Sequence, residues 1–268
     1  MTIVSAFLVP GNPLPLLRPD NPPWRPLVEG YVRAAEALAA SKPDVLLVYS
    51  TQWIAVLDQL WQARPRIAGT HVDENWYEYG DLPFDISIDV ALAEACIAGS
   101  GDVGVRAKSV DFDHFPIDTG TIVANTLLNR AGAPLVIAAN NVYHDFATTE
   151  RLAAMAVGKA EAQGKRVAVI AVGGLSGAYF DKEINLTEDQ IRHAADEAAN
   201  QAFLDALKGG ADKARAALDD YVSTAKPDMG VKHLAWILGA TGGFASATVH
   251  GYGPLYGAGG AVVEFNVA

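Results

Sequence analysis

The chain has 268 residues, 50% of them hydrophobic, enough for a sizeable core in one large domain or two small ones. Its 31 acidic residues against 20 basic ones give a net charge of −11, and no Lys/Arg cluster interrupts that excess, which argues against nucleic acid or an anionic membrane as a partner. The single cysteine, Cys96, excludes an intrachain disulfide framework and a thiolate metal site, and no apolar run is long enough to span a bilayer.

Residues 2–9 are rich in β-branched side chains and predict a strand stopped by Pro10. No positively charged stretch of a secretory signal is present there, so the expected location is the cytoplasm. A proline-rich loop follows to Pro26. Residues 25–42 predict a helix with Leu27, Tyr31, Ala34, Ala35 and Leu38 on one face, ended by Pro43. Residues 44–50 form a short, nearly all-apolar strand of the kind buried on both faces of a parallel sheet. The alternation continues: helix 89–98, strand 103–110, helix 120–129, strand 134–139, helix 149–163 and strand 166–172. Helices at 188–207, 211–221 and 231–238 come next, then strands 246–250 and 261–267. Strands alternating with helices predict an α/β fold, a central mostly parallel or mixed sheet flanked by helices, with residues 1–268 forming one domain.

Open α/β sheets place their sites in loops at the carboxyl ends of strands, here residues 10–15, 50–53, 140–144 and 173–177. The segment Gly173-Gly174-Leu175-Ser176-Gly177 matches neither a nucleophile elbow, because Ala178 stands at its last glycine, nor a dinucleotide loop, because Leu175 stands at its second. A tight glycine turn is the simpler reading. The polar segment 140–144 is equally compatible with an ordinary turn.

Seven segments in chain order carry a family resemblance. They are Val4-Ser-Ala-Phe-Leu-Val-Pro-Gly, Lys42-Pro-Asp-Val-Leu-Leu-Val-Tyr-Ser-Thr-Gln-Trp, Val72-Asp-Glu-Asn-Trp-Tyr-Glu-Tyr-Gly, Phe115-Pro-Ile-Asp-Thr-Gly-Thr, Val172-Gly-Gly-Leu-Ser-Gly, Lys232-His-Leu-Ala-Trp-Ile-Leu-Gly-Ala and Gly251-Tyr-Gly-Pro-Leu-Tyr-Gly. Together they resemble the class III extradiol dioxygenases, which open aromatic rings with O₂ at a ferrous centre. That chemistry needs two histidines and a carboxylate on one face of the iron, leaving open positions for substrate and oxygen. The resemblance places the two histidines near Gly11, beside Asn12, and on Gln52, and the carboxylate on Lys232. It places the acid/base histidine on Gly177 and a further active-site histidine on Thr119. None of the five positions keeps the required side chain. Lys232 would repel Fe(II) and is expected to fill part of the iron's space, met by a carboxylate or several carbonyl oxygens or else bent toward water.

The six histidines, His71, His114, His144, His193, His233 and His250, lack the spacing of a helical metal pair. His71 beside Asp73 and Glu74 reads as a solvated acidic loop, His193 as a solvent-facing helix residue, and His233 as a neighbour of Lys232 within reach of the lost site. No catalytic residue and no metal are therefore expected in this chain. The resemblance implies a non-catalytic α-type subunit for the cleavage of an aminophenol-type ring. A homologous β subunit would carry the Fe(II), in an α₂β₂ complex that handles the aromatic substrate. Trp53, Trp76, Tyr77 and Tyr79 are the expected interface aromatics. Two other readings stay open: a stand-alone enzyme with a relocated site, and a regulatory protein that binds a small aromatic in the vestigial cleft.

Overall fold

The computed structural model describes residues 2–113 and 117–267; His114, with Phe115 and Pro116 from one of the family segments, lies outside the described residues. Among the described residues, ten strands and eight α-helices follow in chain order: β1 (Ile3–Val9), α1 (Leu14–Leu17), α2 (Arg25–Ser41), β2 (Val45–Ala55), β3 (Gln59–Gln62), β4 (Arg66–His71), β5 (Leu82–Ser87), α3 (Val90–Gly99), β6 (Ala107–Val110), α4 (Thr119–Leu128), β7 (Leu135–Asn141), α5 (Phe146–Ala162), β8 (Val167–Val172), α6 (Ala194–Lys208), α7 (Ala211–Ala225), α8 (Lys232–Thr241), β9 (Ser246–Leu255) and β10 (Ala258–Asn266). Eight strands make one mixed sheet in the order β6–β3–β7–β2–β8–β1–β10–β9, and β4 pairs with β5 in a separate hairpin. Neighbours from β7 through β2 and β8 to β1 are parallel, whereas β10 and β9 close that edge antiparallel. The α/β expectation holds.

Every residue of β7 and β8 is buried, as central strands covered on both faces should be; β8 is all-apolar, and β7 is apolar up to its buried Asn140 and Asn141. The helices on those faces are started by their own acids. Asp89, Asp118 and Asp145 accept the backbone N–H of Leu92, Thr121 and Thr148 at the N-termini of α3, α4 and α5, where a carboxylate answers both the unpaired amides and the positive end of the helix. α2 ends where Lys42 turns to φ 47° ahead of Pro43.

Several boundaries differ from the sequence reading: β2 runs five residues past 50 to Ala55, α5 begins three residues early at Phe146, and α7 continues to Ala225. The strand expected at 103–110 begins only at Ala107, because Ser100–Val103 is a 3-10 turn and Gly104 takes φ 77°. The helix expected from residue 188 begins at Ala194. Before it, Asp189 is buried, with its carboxylate accepting Trp24 Nε1 and the backbone N–H groups of Tyr256 and Gly257. The terminal strands are longer than expected, since β9 runs on to Leu255 and turns through two residues into β10.

α8 crosses α5 at Gly239 so closely that a Cβ there would lie 2.1 Å from the Glu150 carbonyl oxygen. On a solvated helix, Gly→Ala stabilises by about 1 kcal/mol. Here backbone blocks the methyl group, and Gly239→Ala is expected to destabilise by about 1–3 kcal/mol instead. Thermal unfolding gives the sign, and a raised midpoint would refute the close contact.

Candidate functional site

A cleft of about 600 Å³ opens at the carboxyl ends of β1, β2 and β8, beside the start of α4. Its lining comes from five stretches: Asn12 and Pro13, Thr51 to Ile54, His71 with Asp73 to Trp76, Ile117 to Thr119, and Asp228 with Met229, joined by Tyr179.

Gln52 reaches the cleft because β2 bulges. Ser50 pairs with Ala139 of β7 but Ile54 pairs with Asn140, so residues 51–53 leave the ladder and Gln52 is exposed. Its amide is flanked by two glycines. A Cβ on Gly11 would lie 2.7 Å from Gln52 Nε2, and one on Gly120 would lie 3.0 Å from Gln52 Oε1. The glutamine thus occupies space that a side chain at position 11 would need. Asn12 is buried and accepts the Leu14 N–H at 2.9 Å.

Thr119 is buried on the cleft wall. Its hydroxyl donates to Asp73 Oδ2 at 2.5 Å, and His71 Nε2 lies 2.9 Å from the Thr119 hydroxyl oxygen. Thr119 has one proton and gives it to Asp73, so His71 Nε2 is a donor. Asp73 Oδ1 accepts Asn75 N–H and Trp76 N–H at 2.9 and 3.1 Å, which fixes the loop after β4. This corrects the solvated-loop reading. The β4–β5 hairpin, which the sequence reading missed, carries His71 and the buried Asp73 onto the cleft wall. An imidazole therefore does face this space, from a hairpin rather than from one of the five expected positions. His193 fits its solvent-facing reading, exposed as the residue that precedes α6.

Asp118 and Asp228 deepen the acidic character. Asp118 accepts Ser50 Oγ at 2.6 Å and Thr121 N–H at 2.8 Å, and Asp228 accepts Gly174 N–H at 2.7 Å. Burial raises both carboxyls above their ordinary range, while those hydrogen bonds act the other way.

Four expected positions lie off the cleft lining: Gly11, packed against the Gln52 amide, and Gly177, Lys232 and His233. A Cβ on Gly177 would meet the Lys226 carbonyl oxygen at 2.5 Å, so that turn has no room for an added histidine. Lys232 points instead to the end of β7, where its ammonium donates to the Asn141 carbonyl at 2.9 Å, with the Val142 carbonyl at 3.4 Å and Asn140 Oδ1 at 3.5 Å. Carbonyl oxygens meet this charge, as expected, but not in the cleft; burial lowers the pKa of the amine. His233 is fully buried against Gly173 rather than reaching the cleft. Val231, Met229 and Lys226 all adopt positive φ just before α8, and this irregular turn sets the direction of residue 232.

An amide, a glycine and an ammonium, the last turned away, are not a ligand set for Fe(II), and the residues present do not fit the family's metal. Among the described residues, His71, Asp73 and Glu74 offer ligand atoms within 4.8 Å of one another, although Asp73 and His71 already hold the hydrogen bonds given above. Of the expected interface aromatics, Trp53 is buried beside the cleft, Trp76 and Tyr79 are half-buried with ring centroids 6.2 Å apart, and Tyr77 is exposed. No helix among the described residues is long and apolar enough to cross a membrane.

Residues 13–264 match the family model described as the catalytic LigB subunit of aromatic ring-opening dioxygenase. The chain is 52% identical over 271 residues to the 2-aminophenol 1,6-dioxygenase alpha subunit of Pseudomonas sp, covering 100% of both chains. It is 28% identical over 288 residues to the beta subunit of 2-aminophenol 1,6-dioxygenase from Pseudomonas sp, covering 99% of this chain and 94% of that one. The fold matches uncharacterized protein JW3007 from Escherichia coli K12 with a TM-score of 0.65 at 14% identity, over 97% of this chain and 99% of that one.

Proposed function

This chain belongs to the LigB family of aromatic ring-opening dioxygenases, and from that premise we propose that it is the non-catalytic α subunit of a 2-aminophenol-type extradiol dioxygenase. One observation carries the reading. A family that opens rings at ferrous iron is represented here by a glycine, an amide and a turned-away ammonium at the three ligand positions. In this reading Gly11, Asn12, Gln52, Thr119, Gly177, Lys232 and His233 mark the lost site, and residues 1–268 act as one domain. A homologous β subunit holds the Fe(II), and the two chains assemble as α₂β₂ in the cytoplasm. The chain supports that partner, with Trp53, Trp76, Tyr77 and Tyr79 near the contact.

Co-expression with a histidine-complete β subunit tests this. The expected result is co-purification, ring-cleaving activity with 2-aminophenol in the complex, and no activity from this chain alone. Tyr77→Asp, which puts a charge on an exposed ring without touching the core, should weaken assembly and activity together. Turnover by the isolated chain would overturn the reading. A second reading, an enzyme with a relocated cation, is favoured only by the His71, Asp73 and Glu74 grouping. Metal analysis separates the two: a stoichiometric metal lost in His71→Ala would select it.

A further inference from the structure

Two family segments that the lost iron site does not use, 72–80 and 251–257, meet in a second cavity of about 470 Å³ beside the cleft. Trp76 and Tyr79 come from the first, Tyr256 from the second, and Phe180 from the loop after β8; Glu78 and Glu183 stand on the lining. The rings form a connected wall. Trp76 and Tyr256 meet edge to face with centroids 5.2 Å apart, Phe180 and Tyr256 at 6.3 Å, and Trp76 and Tyr79 at 6.2 Å.

Tyr256 sits where the backbone least favours it. It and Gly257 make the two-residue turn between β9 and β10, with φ values of 58° and 91°. Such turns favour Asn-Gly or Gly-Gly, and a bulky residue there is strained. The surroundings hold it in place: Asp189 Oδ2 accepts Tyr256 N–H at 2.6 Å, Asp189 Oδ1 accepts Gly257 N–H at 2.9 Å, and the Tyr256 carbonyl accepts Phe180 N–H at 3.2 Å. A buried carboxylate thus fixes a strained turn whose side chain forms one wall of the cavity.

We propose that this aromatic box is a binding site for an organic cation, an alkylammonium or guanidinium group, held by the faces of Trp76, Tyr79 and Tyr256 and by the carboxylates of Glu78 and Glu183. Ring faces attract cations, and weakly hydrated ones bearing apolar groups gain most, because they lose little water on entry. The same chemistry is already visible at the border, where the Arg18 guanidinium lies 5.5 Å from the Tyr79 ring centroid without lining the cavity. Glu78 and Glu183 form no ion pair among the described residues, and their negative charge helps to raise the Tyr79 phenol pKa, after burial and Tyr256. The inference does not rest on the α-subunit reading.

Calorimetric titration of the full-length chain with tetramethylammonium chloride tests it, with tert-butanol as an uncharged probe of related shape. Saturable binding of the cation is expected, at least tenfold tighter than the alcohol. Glu78→Gln combined with Glu183→Gln should weaken it several-fold. Tyr256→Gly should weaken it at least tenfold while the chain stays folded with a cooperative thermal transition, because glycine relieves the strained turn and the Asp189 bonds to its backbone are kept, so lost binding is not lost folding. Absent saturation, equal binding of tert-butanol, or unchanged binding in Tyr256→Gly would overturn the proposal. Repeating the titration on the complex with the partner subunit identifies the source of the cation. Binding retained there means a free small cation; binding present only in the isolated chain means a Lys or Arg side chain of the partner.

Discussion

Acidification from pH 6.5 towards 3 is expected to cost this fold on the order of 4 kcal/mol through one residue, His233. The imidazole is fully buried on α8, and neither ring nitrogen has a hydrogen-bond partner among the described residues. Burial pushes its pKa down to about 3, whereas an unfolded histidine titrates near 6.5. The folded state therefore holds the neutral ring while the unfolded chain takes up a proton. The stability is fully present above pH 6.5 and drains away as pH falls, by about 2 kcal/mol at pH 5. His144 acts in the same direction, through burial and then the Lys232 charge. Asp118 and Asp228 act oppositely. Their pKa values are raised, so their contribution is fully present below the ordinary carboxylate range and declines as pH rises through the shifted values. Denaturant unfolding at pH 7 and pH 5, on the wild type and on His233→Leu, isolates the effect. The leucine variant should lose markedly less stability over that interval and be no weaker at pH 7, since no uncompensated nitrogen remains. Equal losses in both proteins would show that His233 is not the acid-sensitive group.

The strands and helices of the sheet core were legible because burial wrote them. Residues 166–172 have no polar side chain after Arg166, and β8 needs none, lying between two parallel neighbours. The β4–β5 hairpin was not legible. Arg66-Ile-Ala-Gly-Thr-His shows neither a clear alternation nor a β-branched run, since the hairpin leaves most of β4 exposed. Missing it hid how His71 and Asp73 join Thr119, residues 46 to 48 apart in sequence from their partner. Gln52 was singled out by the family resemblance, in a loop placed after an apolar strand, but the bulge that presents it is a property of the pairing with β7 and has no local signature. The direction of Lys232 was hidden for a different reason. Three non-glycine residues at positive φ precede it, and no propensity argument would place Val231 there.

Lys232→Glu, which restores the residue type of the family's third ligand, is expected to destabilise the chain by about 3 kcal/mol and to bring no iron. The reason lies in what surrounds the ammonium. Asn141 and Val142 turn carbonyl oxygens towards it and Asn140 adds an amide oxygen, so the site is built entirely of acceptors. A carboxylate there has nothing to accept and would face oxygens across a mostly buried space, losing its hydration without recovering it in hydrogen bonds. Lys232→Met separates the two contributions. It keeps the aliphatic stem and removes the charge, leaving the Asn141 carbonyl without its donor, and should cost only about 1–2 kcal/mol. The ordering wild type, then methionine, then glutamate is the informative result. Iron analysis of the glutamate variant completes it, because residue 232 does not line the cleft and Gly11 and Gln52 still supply no imidazole. A glutamate variant as stable as its parent, or one holding stoichiometric iron, would mean that the turn before α8 can swing residue 232 back to the cleft. If neither occurs, restoring the third ligand's side chain alone does not restore the metal, because the turn before α8 directs residue 232 to the end of β7.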